Sequence, residues 1–185
     1  MIFTEENTSY SLLASPINSE AILHTGLWLT LIGIDDIPPH IALINEEKYY
    51  SLSTRKVDCG SSSERFMNML KRKHIPTLLI RIETSDNTAF YLEKIYKDLH
   101  LLGTNENTCL SPIKDFFARF YSTEFASVNY VFELLALAEK KNLLKESMSL
   151  FCESAGTNNV TLPKYTMVAI KNKIRMLSSQ IPFIK

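Results

Sequence analysis

Two consecutive prolines, Pro38 and Pro39, stand directly ahead of the run His40 to Ser53, HIALINEEKYYSLS, and this stretch narrows the chain's options more than any other. Proline fixes φ and carries no amide N–H, so the pair cannot continue a ladder and sets the backbone just before His40. His40 therefore opens a new strand. Asn45 to Lys48 is short and polar, as a hairpin connection requires, and the chain returns through Tyr49 to Thr54. Side chains alternate across a strand, so Tyr49, Ser51 and Ser53 share one face of the return and Tyr50 and Leu52 the other. A histidine at the mouth of one strand thus stands where a polar side chain of its partner can reach it.

The segments around this hairpin extend the pattern. Gly26 to Ile34, GLWLTLIGI, is nearly continuous in apolar and β-forming residues and predicts a strand buried on both faces. Residues 1 to 20 read as polar and irregular. Beyond the hairpin, SSSERFMNMLKRK predicts a helix over 63–73 with a serine cap and Phe66, Met67 and Leu70 on one side. Ile75 to Ile82 follows as a strand with Pro76 at its start, where proline is tolerated. After Glu83 the period becomes helical. Ser85 or Asp86 caps a helix carrying Leu92, Ile95, Tyr96 and Leu99, with Gly103 as its stop. A polar loop, GTNENT, leads to a helix with Ser111 as cap and Pro112 at the first position, bearing Ile113, Phe116, Phe117 and Phe120. Asn129 to Lys141 predicts another amphipathic helix. A polar loop around Gly156, a turn at Leu162-Pro163 and a basic amphipathic helix within YTMVAIKNKIRML complete the chain. The expected architecture is one α+β domain over 1–185. It has an irregular segment over 1–20, a small mostly antiparallel sheet over 21–83, and helices over 84–185 that pack against the sheet.

Composition sets outer bounds. A chain of 185 residues, 45% hydrophobic and 22% charged, matches a soluble globular domain rather than a disordered one. Twenty basic residues balance twenty acidic ones, so there is no overall positive field to gather phosphates, and nucleic acid is not expected as a partner. The most basic run, Lys71-Arg72-Lys73-His74, falls at a predicted helix end, where cations complement the helix dipole. MIFTEENTSY lacks the charged and apolar regions of a secretory signal, and no run is long enough for a membrane span, so the expected location is the cytoplasm. Cys59, Cys109 and Cys152 are odd in number and widely spaced, which points to reduced thiols rather than disulfides or structural zinc. No phosphate-binding, dinucleotide-binding, zinc-protease or serine-hydrolase signature occurs, and no cofactor or metal is expected.

Cysteine and histidine carry the remaining chemistry. A thiol becomes a nucleophile when a helix N-terminus or an imidazole favours its thiolate. Cys109, just ahead of the Pro112 helix, can have both; the alternative is a small buried residue at a helix entrance. Cys59, beside Gly60 and three serines, is the rival nucleophile, and Cys152 reads as structural. His40 is preferred over His24 as base because its hairpin partner offers Ser51 and Ser53. His74 and His100 sit at predicted helix ends. A histidine at a strand mouth is also accommodated simply as a hydrogen-bonded boundary residue.

The order GLWLTLIG, HIALINEEKYYSLSTRKV, helix, IPTLLIRIE and then TCLSPIKDFF resembles the circularly permuted branch of the NlpC/P60 papain-like superfamily, in which a strand histidine precedes a helix cysteine. His40-Ile41-Ala42-Leu43 and Ser51 fit that family's histidine motif and its third polar position, over about Gly26 to Tyr121. The resemblance implies a permuted papain-like fold and a thiol-dependent hydrolase or acyltransferase. Cys109 would be nucleophile, His40 base and Ser51 orienter, acting on an amide or ester through an acyl-enzyme. Two positions depart from the pattern: the third residue is commonly His, Glu, Asn or Gln, and Pro112 displaces the helix start from Cys109. The alternative function is a non-catalytic α+β protein-interaction module, a degenerate papain-like fold being one form of it, whose Phe116, Phe117, Phe120 and Tyr130 serve packing and a protein partner.

Overall fold

The computed structural model describes residues 9–17, 23–84, 88–99, 107–152 and 159–179. In chain order the described residues form β1 (Ser9–Leu13), β2 (Ser15–Pro16), β3 (Leu27–Ile32), β4 (His40–Asn45), β5 (Lys48–Leu52), β6 (Val57–Ser62), α1 (Ser63–Lys73), β7 (Thr77–Ile82) and α2 (Thr88–Lys97). There follow α3 (Ser111–Phe120), a 3-10 helix (Thr123–Ser127), α4 (Val131–Lys140), β8 (Leu144–Leu150), β9 (Asn159–Pro163) and α5 (Met167–Ser179). The main sheet has seven strands in the order β2-β8-β7-β3-β4-β5-β6, antiparallel throughout except for the β2-β8 edge pair. This is the expected α+β architecture with a mostly antiparallel sheet.

Strand alternation on β3 and β4 divides the interior in two. Leu27, Leu29 and Leu31, with Ile41 and Leu43, join Tyr96, Phe116, Phe117 and Leu134 of α2 to α4 in the larger core. Trp28, Ala42 and Ile44 face the other way and join Tyr49, Leu79 and the Phe66, Met67 and Leu70 stripe of α1. Burying each of these leucines contributes roughly 2 kcal/mol relative to exposure, so the continuous apolar run GLWLTLIGI is required by a strand covered on both sides.

The α1 boundaries match expectation. The Ser62 side chain accepts a hydrogen bond from the Arg65 N–H at 3.3 Å, and Lys71, Arg72 and Lys73 occupy the last turn. His74 caps that end with a left-handed φ of 50°, as expected of a helix-end histidine. The caps at Ser85 and Asp86, the stop at Gly103 and His100 lie outside the described residues.

Three segments depart from expectation. Within 1–20, read as irregular, Ser9–Leu13 pairs with Asn159–Pro163 and Ser15–Pro16 pairs with β8. VDCGSS, read as the approach to a helix, is an edge strand on β5, with Gly60 at φ 81° skipped between the pairs Tyr49↔Ser61 and Tyr50↔Cys59. LKESMSL, in the half read as helical, is β8 and pairs with β7. Lys, Glu and Ser have weak strand preference, and it is pairing with a distant strand that decides such a segment.

The β4–β5 connection is a two-residue loop in which Glu46 and Glu47 have φ of 47° and 69°. Left-handed backbone at both central positions matches the twist of a hairpin but suits Asn-Gly far better than Glu-Glu. The double substitution Glu46→Asn/Glu47→Gly should therefore stabilise the protein by about 1 kcal/mol, raising the melting temperature by roughly 2–4 °C. The exposed His24–Glu47 ion pair that it removes contributes too little to reverse the sign. Calorimetry showing a lower melting temperature would contradict this account of the loop.

Candidate functional site

His40 is the first residue of β4 and pairs across the ladder with Ile32 of β3. On its other side β5 places Ser51 opposite Ala42, and His40 Nε2 lies 2.8 Å from Ser51 Oγ. Ser51 is only 3% exposed. The hairpin register alone produces this bond, because His40 and Ala42 share a face and Ser51 stands opposite Ala42. Nδ1 is left without a hydrogen-bond partner among the described residues.

One further residue belongs to this cluster and escaped the sequence reading. Asp58 of β6 stands opposite Ser51 in the β5–β6 ladder. Its side chain is 13% exposed and ion-paired to Lys56 at 2.8 Å. Burial lowers the His40 pKa to about 4, and the Asp58 carboxylate opposes that shift. The signal was present in sequence as an acidic residue in an alternating stretch, but it becomes readable only once VDCGSS is recognised as a strand.

Cys109 occupies the turn that runs into α3. The Thr108 carbonyl accepts from the Ser111 N–H at 3.0 Å, and the Thr108 N–H donates to Ser111 Oγ at 2.9 Å. Ser111 is thus the first helical residue, with Leu110 as the cap residue and Pro112 one position further in. The correction matters for chemistry, since it brings Cys109 one residue nearer the helix end than a Ser111 cap would. Burial pushes the Cys109 thiol pKa up, against the backbone N–H groups of Ile41, Cys109 and Leu110, which favour the thiolate. Ile41 is the residue after His40, so the sulfur approaches the mouth of β4.

His40 and Cys109 both line a cavity of about 320 Å³. Ser53, Thr54 and Arg55 form part of its wall, and Ile170, Ile174 and Leu177 of α5 supply an apolar side. Lys173 of α5 reaches Asp36, in the turn before the two prolines, at 3.3 Å. The structure therefore gathers His40, Ser51 and Cys109 at one end of the sheet, with no hydrogen bond between Cys109 and His40 among the described residues.

The rival residues lie elsewhere. Cys59 is exposed on β6, and its Sγ points to the Glu93 carbonyl at 3.8 Å; burial, with Glu93 adding to it, raises its pKa. Cys152 Sγ contacts the carbonyls of Thr77 and Leu150 at 3.4 Å each. His24 pairs with Glu47 at the surface at 2.7 Å. Among the described residues no cluster of three or more His, Cys, Asp or Glu side chains is arranged to hold a metal, and no helix is long and apolar enough to cross a membrane. No family model, curated protein or solved structure matches the chain.

The lowered His40 pKa links stability to pH. Between about 6.5 and about 4 the unfolded chain binds a proton at this residue that the folded one does not. Its contribution is therefore complete above the unfolded value and is lost as pH falls toward the folded one, by up to about 3 kcal/mol. Urea midpoints measured from pH 7 to pH 4.5 should drop more steeply for the wild type than for His40→Gln. Parallel profiles would rule out a buried neutral imidazole.

Proposed function

We propose that this protein is a thiol-dependent hydrolase or acyltransferase of the permuted papain-like type, acting on an amide or ester through an acyl-enzyme at Cys109. The observation that carries the proposal is the shared cavity. Cys109 and His40 line the same cavity, with His40 Nε2 held by Ser51 at 2.8 Å. In the tautomer in which Nε2–H donates to Ser51, which the reaction requires, Nδ1 is the basic nitrogen.

Both partners are held in their neutral forms at neutral pH, since burial raises the thiol and lowers the imidazole. In the proposed reaction His40 Nδ1 takes the Cys109 proton as Sγ attacks the carbonyl carbon, so general-base assistance replaces a preformed thiolate. The carbonyl oxygen becomes an oxyanion, for which the backbone N–H groups of Cys109 and Leu110, which lie beside the sulfur, are candidate donors. The imidazolium then returns its proton to the leaving amine or alcohol as the C–N or C–O bond breaks. Water or a second alcohol or amine, deprotonated by His40, attacks the thioester and releases Cys109. Ser51 keeps the ring in the required tautomer, and Asp58 supplies the negative charge that a serine lacks.

A second reading, a non-catalytic interaction module, is favoured by the absence of a Cys109–His40 hydrogen bond. Phe116 and Phe117 are fully buried and serve the core. The half-buried Phe120 and Tyr130, in contact with Tyr91 and Phe132 respectively, remain for a protein partner.

Incubation with p-nitrophenyl acetate and intact-mass analysis separates the two. The enzyme reading expects one hydroxylamine-sensitive acetyl group on Cys109, formed about a hundredfold or more slower in His40→Ala. Equal acetylation of Cys59, Cys109 and Cys152, indifferent to His40, would favour the interaction module. Ser51→Ala should slow acylation by about tenfold, and Asp58→Asn should slow it by a smaller factor, both without loss of fold as judged by circular dichroism.

A further inference from the structure

A second cavity, of about 570 Å³, adjoins the first and shares Thr108, Ile170 and Ile174 with it. Its charged lining is entirely cationic: Lys114 of α3 and Lys171 and Arg175 of α5, with no carboxylate in the wall. Among the described residues none of these three has an ion-pair partner, whereas Lys173 of the same helix is paired with Asp36 at 3.3 Å. Lys171 and Arg175 are also four residues apart on α5, a like-charge spacing that weakens a helix. Cations drawn together around a concavity repel one another unless an anion sits between them. Asn107, Ser111 and Asn129 add uncharged hydrogen-bonding groups to the same wall.

We propose that this cavity is a subsite for the anionic group of the substrate, a carboxylate or a phosphate attached to the portion of the molecule beside the scissile bond. The assignment to a substrate rests on the proposed chemistry at Cys109, while anion binding itself does not require a reactive thiol. The substrate class is thus an amide or ester whose acyl or leaving portion carries a negative charge. Its apolar part lies against Ile170 and Ile174, and its charge meets Lys114, Lys171 and Arg175.

Equilibrium binding of 1-anilinonaphthalene-8-sulfonate, compared with N-phenyl-1-naphthylamine, which has the same ring system without the sulfonate, tests the subsite directly. The 185-residue wild type should bind the sulfonate more tightly than the neutral dye, with affinity falling as salt rises. Lys114→Gln/Lys171→Gln/Arg175→Gln should weaken sulfonate binding by about tenfold or more and leave the neutral dye unchanged. Arg65→Gln/Arg72→Gln/Lys73→Gln, which removes the same charge from α1, should shift neither dye by more than about twofold, since those charges are exposed and remote. In the wild type, octanoate and octyl phosphate should displace the dye at lower concentration than octanol, and the better of the two assigns carboxylate or phosphate. Equal binding of the two dyes, no binding, displacement by octanol as readily as by the anions, or equal losses in both triple variants would overturn the proposal. Cys109→Ala should keep full sulfonate affinity, so a failure of the acyl-enzyme reaction leaves this result standing.

Discussion

The structure depends on β3 and β4 being buried on both faces. A strand covered on one side can leave its polar alternates in water, but Leu27 to Leu31 and Ile41 to Ile44 have nowhere polar to point. Two separate layers are therefore required, and the chain supplies them from different places. α1, directly after β6, covers the Trp28 face, and α2 to α4, from beyond Glu83, cover the Leu29 face. Once the second layer docks, the entrance of α3 arrives at the same end of the sheet as the start of β4, and this brings Cys109 into the cavity that His40 lines. The candidate site follows from covering the sheet rather than from any contact encoded locally.

That origin also sets the electrostatics. A site at the end of a doubly covered sheet is poorly hydrated, and poor hydration penalises imidazolium and thiolate alike. His40 falls to about 4 while Cys109 rises, so each group settles in its uncharged form. Asp58 and the N–H groups on the sulfur oppose these shifts without overcoming them. In the proposed reaction charge would arise in such a pair only as a proton passes between them, when each ion is the other's counterion.

Much of this was legible in the sequence where the information is local. Pro38-Pro39, the alternation of HIALI and YYSLS, and the stripe of Phe66, Met67 and Leu70 gave the hairpin and α1, and the hairpin register in turn gave the His40–Ser51 bond. The edges of the sheet were not legible. β1 finds its partner about 150 residues away in β9, in a separate two-stranded sheet; β6, with its Asp and Gly, is an edge strand, and the Lys and Glu of β8 lie beyond the two residues that β2 covers. Missing β6 concealed Asp58, whose relation to His40 exists only through the β5–β6 register. The cationic cavity was equally hidden, since Lys114 and Arg175 lie on helices that read as ordinary amphipathic surfaces, and what groups them is the placement of α5 over the end of the sheet.

α5 is the least buried of the described α-helices, since Ile170 is its one buried residue, yet its position bears on what the proposed thioester would meet next. Hydrolysis needs a water beside His40, and transfer needs an acceptor alcohol or amine in the same place. Ile170, Ile174 and Leu177 of α5 give the cavity an apolar strip, beside which Lys173 of the same helix is a polar group. Ser53, Thr54 and Arg55 add polar lining. An acceptor with an apolar flank and a hydroxyl or amino head would match both kinds of lining at once, whereas water would match the polar lining alone. On the proposed chemistry this lining would suit a transfer acceptor better than water, and the Lys173–Asp36 ion pair ties α5 to the turn ahead of His40.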